Sequence, residues 1–326
     1  MLALLVSIII FFTLIMLAVV YSNYISHYNR IHIYGRKPTS SSRYTGVIPV
    51  FNLKNQLYGK TEKSLLQLLL KRKLPLVVCL GDSITHGIVS TNYVDVLQKK
   101  YKDSLLFINS GINGNLAYNL NQRLQGDCID FNPDYVTILI GTNDVNCHKS
   151  ENMMKRYIKM QRLPQNPDRE FFKNNIKDIL ESIKKKTKAK TAILSLPVIG
   201  ENLESKMNQK VKEYSGIIKE MTKQYKVSYL PLYETQKRFL EEIKERNPSV
   251  YMKKHVLIIL SLMINRSFDK IAEINGNYLT YDGLHETSRG AAMIEELISG
   301  FLEKEMQTAP NGNSVLVKGL RVPHNL

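Results

Sequence analysis

Pro75-Leu-Val-Val-Cys-Leu-Gly-Asp-Ser-Ile-Thr-His-Gly87 joins an apolar, β-branched run to a polar turn and then to helix-compatible sequence. A short continuous apolar run bounded by turn residues predicts a strand buried on both faces, as in a parallel sheet. A serine at the carboxyl end of such a strand lies where open α/β sheets bind ligands. Gly81 is expected to let the backbone turn sharply, so that the Ser83 hydroxyl points into a crevice. Taken alone, Gly-Asp-Ser is also an ordinary turn, and the rest of the chain has to decide between the two.

Working outward, a helix is expected from about 91 to 101 and a second strand over 105–109. A helix over 116–124, a third strand over 135–140 and a lysine-rich helix over 170–186 follow. A fourth strand over 191–196, a helix over 203–225 and a fifth strand over 227–230 continue the alternation. Strands alternating with helices imply parallel βαβ units and a three-layer α/β/α fold with a five-stranded sheet. A last helix from 287 carries Ile294, Leu297, Ile298, Phe301 and Leu302 on one face and is expected to pack on that sheet.

Polar motifs follow three of these strands. Ser83 follows the first, Asn109 to Gly114 the second, and Gly141-Thr-Asn-Asp144 the third, while Tyr281-Asp-Gly-Leu-His285 precedes the last helix. All carboxyl ends of a parallel sheet share one side, so these motifs can converge. A serine hydroxyl is a weak nucleophile that needs a base. His285 can take its proton, and Asp282 can hold the other ring nitrogen and fix the tautomer. The N–H of Ser83, that of a glycine after the second strand and the Asn143 amide are candidate oxyanion donors. Asp82, Thr142 and Asp144 are candidate substrate contacts. Each motif has a plainer reading as a turn, a cap or a bend; their coincidence at one sheet edge favours chemistry.

The set resembles the SGNH (GDSL-type) serine hydrolases. Gly81-Asp82-Ser83 is similar to that family's nucleophile block, and Gly114 to its oxyanion glycine, with Gly111 a near competitor. Gly141-Thr-Asn143-Asp144 is similar to its Gly-x-Asn-Asp block, and Asp282-Gly-Leu-His285 to its Asp-x-x-His block. The resemblance covers residues 74 to 303. It implies a flavodoxin-like sheet, a Ser83-His285-Asp282 triad, hydrolysis of acyl or acetyl esters, and no metal or other cofactor.

Outside that pattern, Met1 to Val20 is apolar except for Ser7 and Thr13. As a helix it would span about 30 Å, a bilayer core, and a membrane anchor over 1–21 is expected. Residues 22–60 read as a basic linker. It holds Arg30, Arg36, Lys37, Arg43, Lys54 and Lys60 without an acidic residue, which favours a body on the cytoplasmic side. The hydrolase domain is expected over 61–306 and a loose tail over 307–326. The segment 234–275 exceeds a simple crossover; its apolar centre, 255–264, reads either as buried structure or as a flap. The net charge of +16 suits an anionic surface, but no nucleic-acid-binding motif accompanies it. Three cysteines make a poor disulfide framework, and free thiols are expected.

The leading expectation is a membrane-tethered serine esterase acting on lipid or lysophospholipid esters. The alternative substrate is an O-acetylated carbohydrate. From another class, a basic membrane-surface or nucleic-acid-binding module on an inactive hydrolase fold would keep the architecture without the chemistry.

Overall fold

A computed structural model of the protein describes residues 74–243 and 267–308. The expected anchor, the linker, the start of the domain over 61–73, the apolar centre of 234–275 and the tail from 309 lie outside the described residues. Among the described residues, no helix is long and apolar enough to cross a membrane.

Five parallel strands form one sheet: β1 (Leu76–Gly81), β2 (Leu106–Gly111), β3 (Tyr135–Leu139), β4 (Lys190–Leu194) and β5 (Ser228–Leu230). Their spatial order is β2-β1-β3-β4-β5, the flavodoxin-like arrangement the resemblance implies. The long helices fill the outer layers. On one face lie α2 (Tyr93–Lys100) and α10 (Ser288–Gln307), and on the other α3 (Ala117–Asp127), α6 (Arg169–Lys186) and α7 (Lys206–Tyr225).

The alternation along β1 explains why its apolar run is continuous. Leu76, Val78 and Leu80 pack with Leu120, Ile176 and Val211 in one core, while Val77 and Cys79 pack with Val94, Leu97 and Ile294 in the other. All five β1 side chains are fully buried, and the four aliphatic ones each contribute roughly 1.5–3 kcal/mol. The three cysteines are free and buried, as expected.

Register then levels the site. Gly81 pairs with both Gly111 and Leu139, so β1, β2 and β3 end at one height. Winding reverses between β1 and β3, and the loops after these two strands flank the resulting crevice. One expectation needs correction. Gly81 is not among the residues of positive φ. It is required because a Cβ there would lie 2.0 Å from Thr85 Oγ1 and 2.6 Å from the Leu139 carbonyl. Glycines of positive φ follow the strands elsewhere at this rim, Gly114 at 76° after β2 and Gly141 at 124° after β3.

Five further helices were not foreseen. They are α1 (Ser83–His86), α4 (Thr142–Asn146), α5 (Glu151–Gln161), α8 (Leu232–Glu242) and α9 (Phe268–Asn275). The last two occupy the described ends of the segment 234–275.

Candidate active site

Ser83 is the first residue of α1, capped by Asp82, whose Oδ1 accepts the Ile84 N–H at 3.0 Å. The Ser83 N–H thus belongs to the first turn, where no intrahelical acceptor exists. Ser83 Oγ lies 2.9 Å from His285 Nε2 across 202 positions of sequence. His285 Nδ1 lies 2.7 Å from Asp282 Oδ2, while Asp282 Oδ1 accepts the backbone N–H groups of Leu284 and His285 at 2.9 and 2.8 Å. Burial alone would push the Asp282 carboxyl up. The hydrogen bond and charge of His285 and the two backbone donors outweigh it and hold the carboxyl below its usual range. An ionised carboxylate only accepts, so Nδ1 carries the proton and Nε2 is left to receive that of Ser83. The two side chains keep 16% and 23% of their surface exposed, enough for a substrate to reach the imidazole edge.

The histidine loop is braced from behind. Tyr281 lies between the rings of His285, at 6.0 Å, and Phe268 of α9, at 4.7 Å. Glu201 accepts the backbone N–H groups of Tyr278, Leu279 and Thr280. Gln236 of α8 donates to Glu286 and accepts from the Val198 N–H. The described ends of 234–275 therefore support the loop that carries His285.

Asn143, in α4, donates through Nδ2 to the Asn115 carbonyl at 3.0 Å and more loosely to Asp82 Oδ2 at 3.4 Å. Gly114 sits in the loop after β2 at φ 76°. Its competitor Gly111 is committed to the strand end: its N–H donates to Asn109 Oδ1, and a Cβ would lie 2.1 Å from the His86 nitrogen. Arg123 binds the Gly81 carbonyl, Asn115 Oδ1 and Asp127, tying the two loops together. Two of the three residues expected to touch substrate have other partners. Asp144 accepts the Ala117 N–H that opens α3, and Asp82 holds α1 and Asn143. Thr142 is buried and its hydroxyl has no hydrogen-bond partner among the described residues. Sequence reasoning missed Arg123, Glu201, Gln236 and Glu286, all of which act through loop trajectories that no local pattern encodes. Among the described residues, no three His, Cys, Asp or Glu side chains are grouped to hold a metal ion.

Burial raises three carboxyls. Asp82 goes to about 6, with the Ile84 N–H, His285 and Arg123 opposing. Asp144 goes to about 7, against the Ala117 N–H. Glu286 goes to about 8; Gln236 opposes the rise, and the carboxylates of Glu201 and Asp282 add to it. All three bind a proton in the fold that the unfolded chain releases near its ordinary carboxylate pKa, about 4. Stability should therefore fall as pH rises from about 4 towards 8 and level off above, since the unfolded state binds fewer protons in that window. Thermal melts from pH 5 to 9 should show Tm declining, with a shallower decline in Glu286→Gln. A Tm rising across that range would contradict the protonated carboxyls.

Residues 79–292 match the model of the GDSL-like Lipase/Acylhydrolase family. The chain belongs to that family. A curated relative of this GDSL-like hydrolase, an acetylxylan esterase of Geobacillus stearothermophilus, is 26% identical over 211 residues, which is 58% of this chain and 90% of the relative. The crystal structure of an acetylxylan esterase from that organism aligns with a TM-score of 0.51 at 16% identity, over 69% of this chain and 92% of its own. An alpha/beta hydrolase from the metagenome of Lake Arreo, Spain, gives 0.51 at 18%, over 69% and 94%. At those identities the likeness is one of fold. Similar structures include catalytic mutants of the Geobacillus enzyme at a serine, an aspartate and a histidine. Family and relatives together make this chain a serine ester hydrolase.

Proposed function

We propose that the hydrolase removes short acyl groups, acetyl above all, from a hydroxyl-rich carbohydrate through a Ser83 acyl-enzyme. The likeness to a curated acetylxylan esterase over 90% of that relative's length carries the choice of substrate. The hydrogen-bonded run Ser83–His285–Asp282 supports the mechanism. Ser83 Oγ attacks the ester carbonyl as its proton passes to His285 Nε2. The oxyanion is met by the N–H groups of Ser83 and Gly114 and by the Asn143 Nδ2 hydrogen that gives up its loose 3.4 Å contact with Asp82. His285 then gives its proton to the departing sugar oxygen, which leaves as a hydroxyl, and water, activated by the same nitrogen, releases the acid.

A second reading, lipid-ester hydrolysis at a membrane, is favoured by the apolar runs Met1–Val20 and 255–264 and by the basic residues between 22 and 60. A series of acyl esters from acetyl to dodecanoyl separates the two. For the carbohydrate reading, kcat/KM should be highest for acetyl and drop steeply with chain length. A rate that climbs with chain length and jumps at anionic vesicles would replace it with the lipid reading.

A further inference from the structure

An asparagine side chain has a donor end and an acceptor end of nearly the same shape, and only its partners decide which end faces a site. For Asn143 the donor end is held by the Asn115 carbonyl and Asp82, and the acceptor end by α5, a helix whose body-facing stripe is Met153, Met154, Tyr157, Ile158 and Gln161. The Tyr157 hydroxyl lies 2.6 Å from Asn143 Oδ1. It also accepts from Asn146 Nδ2 at 3.1 Å. One turn further along α5, the Gln161 carbonyl accepts from Asn119 at 3.0 Å, and its side-chain amide lies 2.7 Å from where a Cβ on Gly114 would stand. The helix therefore packs against the loop and the side chain that carry two of the oxyanion donors.

We propose that Tyr157 is a positioning residue that locks Asn143 with its N–H end towards the oxyanion, a role that rests on the acyl-transfer reading of the site. The direction of the bonds follows from chemistry. Asn146 Nδ2 can only donate, so the Tyr157 oxygen receives that proton and gives its own to Asn143 Oδ1. Burial raises the Tyr157 hydroxyl to about 12, so it keeps its proton at any working pH. Donors in series also polarise the amide they feed and sharpen its N–H groups. Without the hydroxyl, Oδ1 would lose its proton donor, and the amide, held only through Nδ2 by the Asn115 carbonyl and Asp82, could swing its N–H away from the oxyanion position. The ground-state ester carries far less charge on that oxygen, so the loss falls on the transition state.

The test is steady-state kinetics of the full chain on a chromogenic acetate ester, with Tyr157→Phe, Asn143→Ala and the double variant. Tyr157→Phe should lower kcat about tenfold, the scale of one hydrogen bond, with KM within about twofold of wild type because ground-state binding is untouched. Asn143→Ala should lose about 10²–10³-fold in kcat. In that background Tyr157→Phe should cost nothing more, because its target is gone. A wild-type kcat for either single variant, or an equal Tyr157→Phe loss in the Asn143→Ala background, overturns the role. If Tyr157→Phe does not fold, Asn146→Ala takes its place, with a smaller loss in kcat expected and an unchanged kcat counting against the proposal. A serine-directed phosphonate keeps the two readings apart. Tyr157→Phe should still be labelled to completion at Ser83, only more slowly, whereas absence of any adduct in the wild type would remove the acyl-enzyme itself.

Discussion

Ser83→Ala should lose about 10⁶-fold in kcat, the scale on which removing the nucleophile of a serine hydrolase falls. The alanine side chain fits the space that the serine vacates, and α1 keeps its Asp82 cap and its Gly87 exit. Among the described residues, the hydroxyl's hydrogen bond is to His285 Nε2. Its removal therefore costs the fold little and the chemistry its attacking atom. A remnant of about 10³–10⁴-fold over water is expected, because donors and binding remain. Three measurements on one preparation decide it: turnover of an acetate ester, a thermal melt, and the mass of the protein after treatment with a serine-directed phosphonate. A variant with unchanged melting that turns over within tenfold of wild type, or that still takes the label, would move the nucleophile elsewhere.

The parts of this molecule that were legible in the sequence are those where a local pattern has one physical solution. The run Leu76 to Leu80 has no polar face, so only a strand covered on both sides accommodates it, and from that strand the parallel sheet follows. The four motifs could be brought together because a parallel sheet puts its carboxyl ends on one rim. What stayed hidden depends on how loops travel. Glu201 and Glu286 are carboxylates in the interior, against the ordinary preference for the surface. The sequence around them offers no sign that backbone N–H groups and a glutamine will meet them. The α5 helix was missed although its stripe at 153, 154, 157, 158 and 161 has helical spacing and Ser150 caps it. Four of these five positions hold a methionine, tyrosine or glutamine, so the stripe is weakly apolar and only half-buried. In α8 the spacing Leu232, Tyr233, Gln236, Leu240 was readable, but a buried glutamine broke the apolar count. Gly81 shows a different failure: the residue was singled out, yet the reason lies in Thr85 and Leu139, which only the fold brings against it.

Asp282→Asn tests the orientation of the histidine with almost no change in shape. Asp282 Oδ1 is held by two backbone N–H groups, so in the variant the amide oxygen must stay there; turning the side chain over would set an NH₂ against two donors. The NH₂ then faces His285 Nδ1 at the position of Oδ2, 2.7 Å away in the wild type. A donor in that place requires Nδ1 to accept, which puts the ring proton on Nε2 and points it at Ser83 Oγ. The imidazole can no longer take the hydroxyl's proton, and the imidazolium formed during attack loses its counter-charge. On both grounds kcat should fall by about 10⁴-fold, as expected for the wrong tautomer in a serine triad, with little change in KM. Turnover and phosphonate labelling should slow together, since both need the same deprotonated oxygen. The His285 ring N–H resonance, exchanging between the two nitrogens, reports the tautomer independently of rate. A loss smaller than tenfold, with the wild-type tautomer retained, would mean that the carboxylate beside His285 steadies a loop and takes no part in the proton transfer.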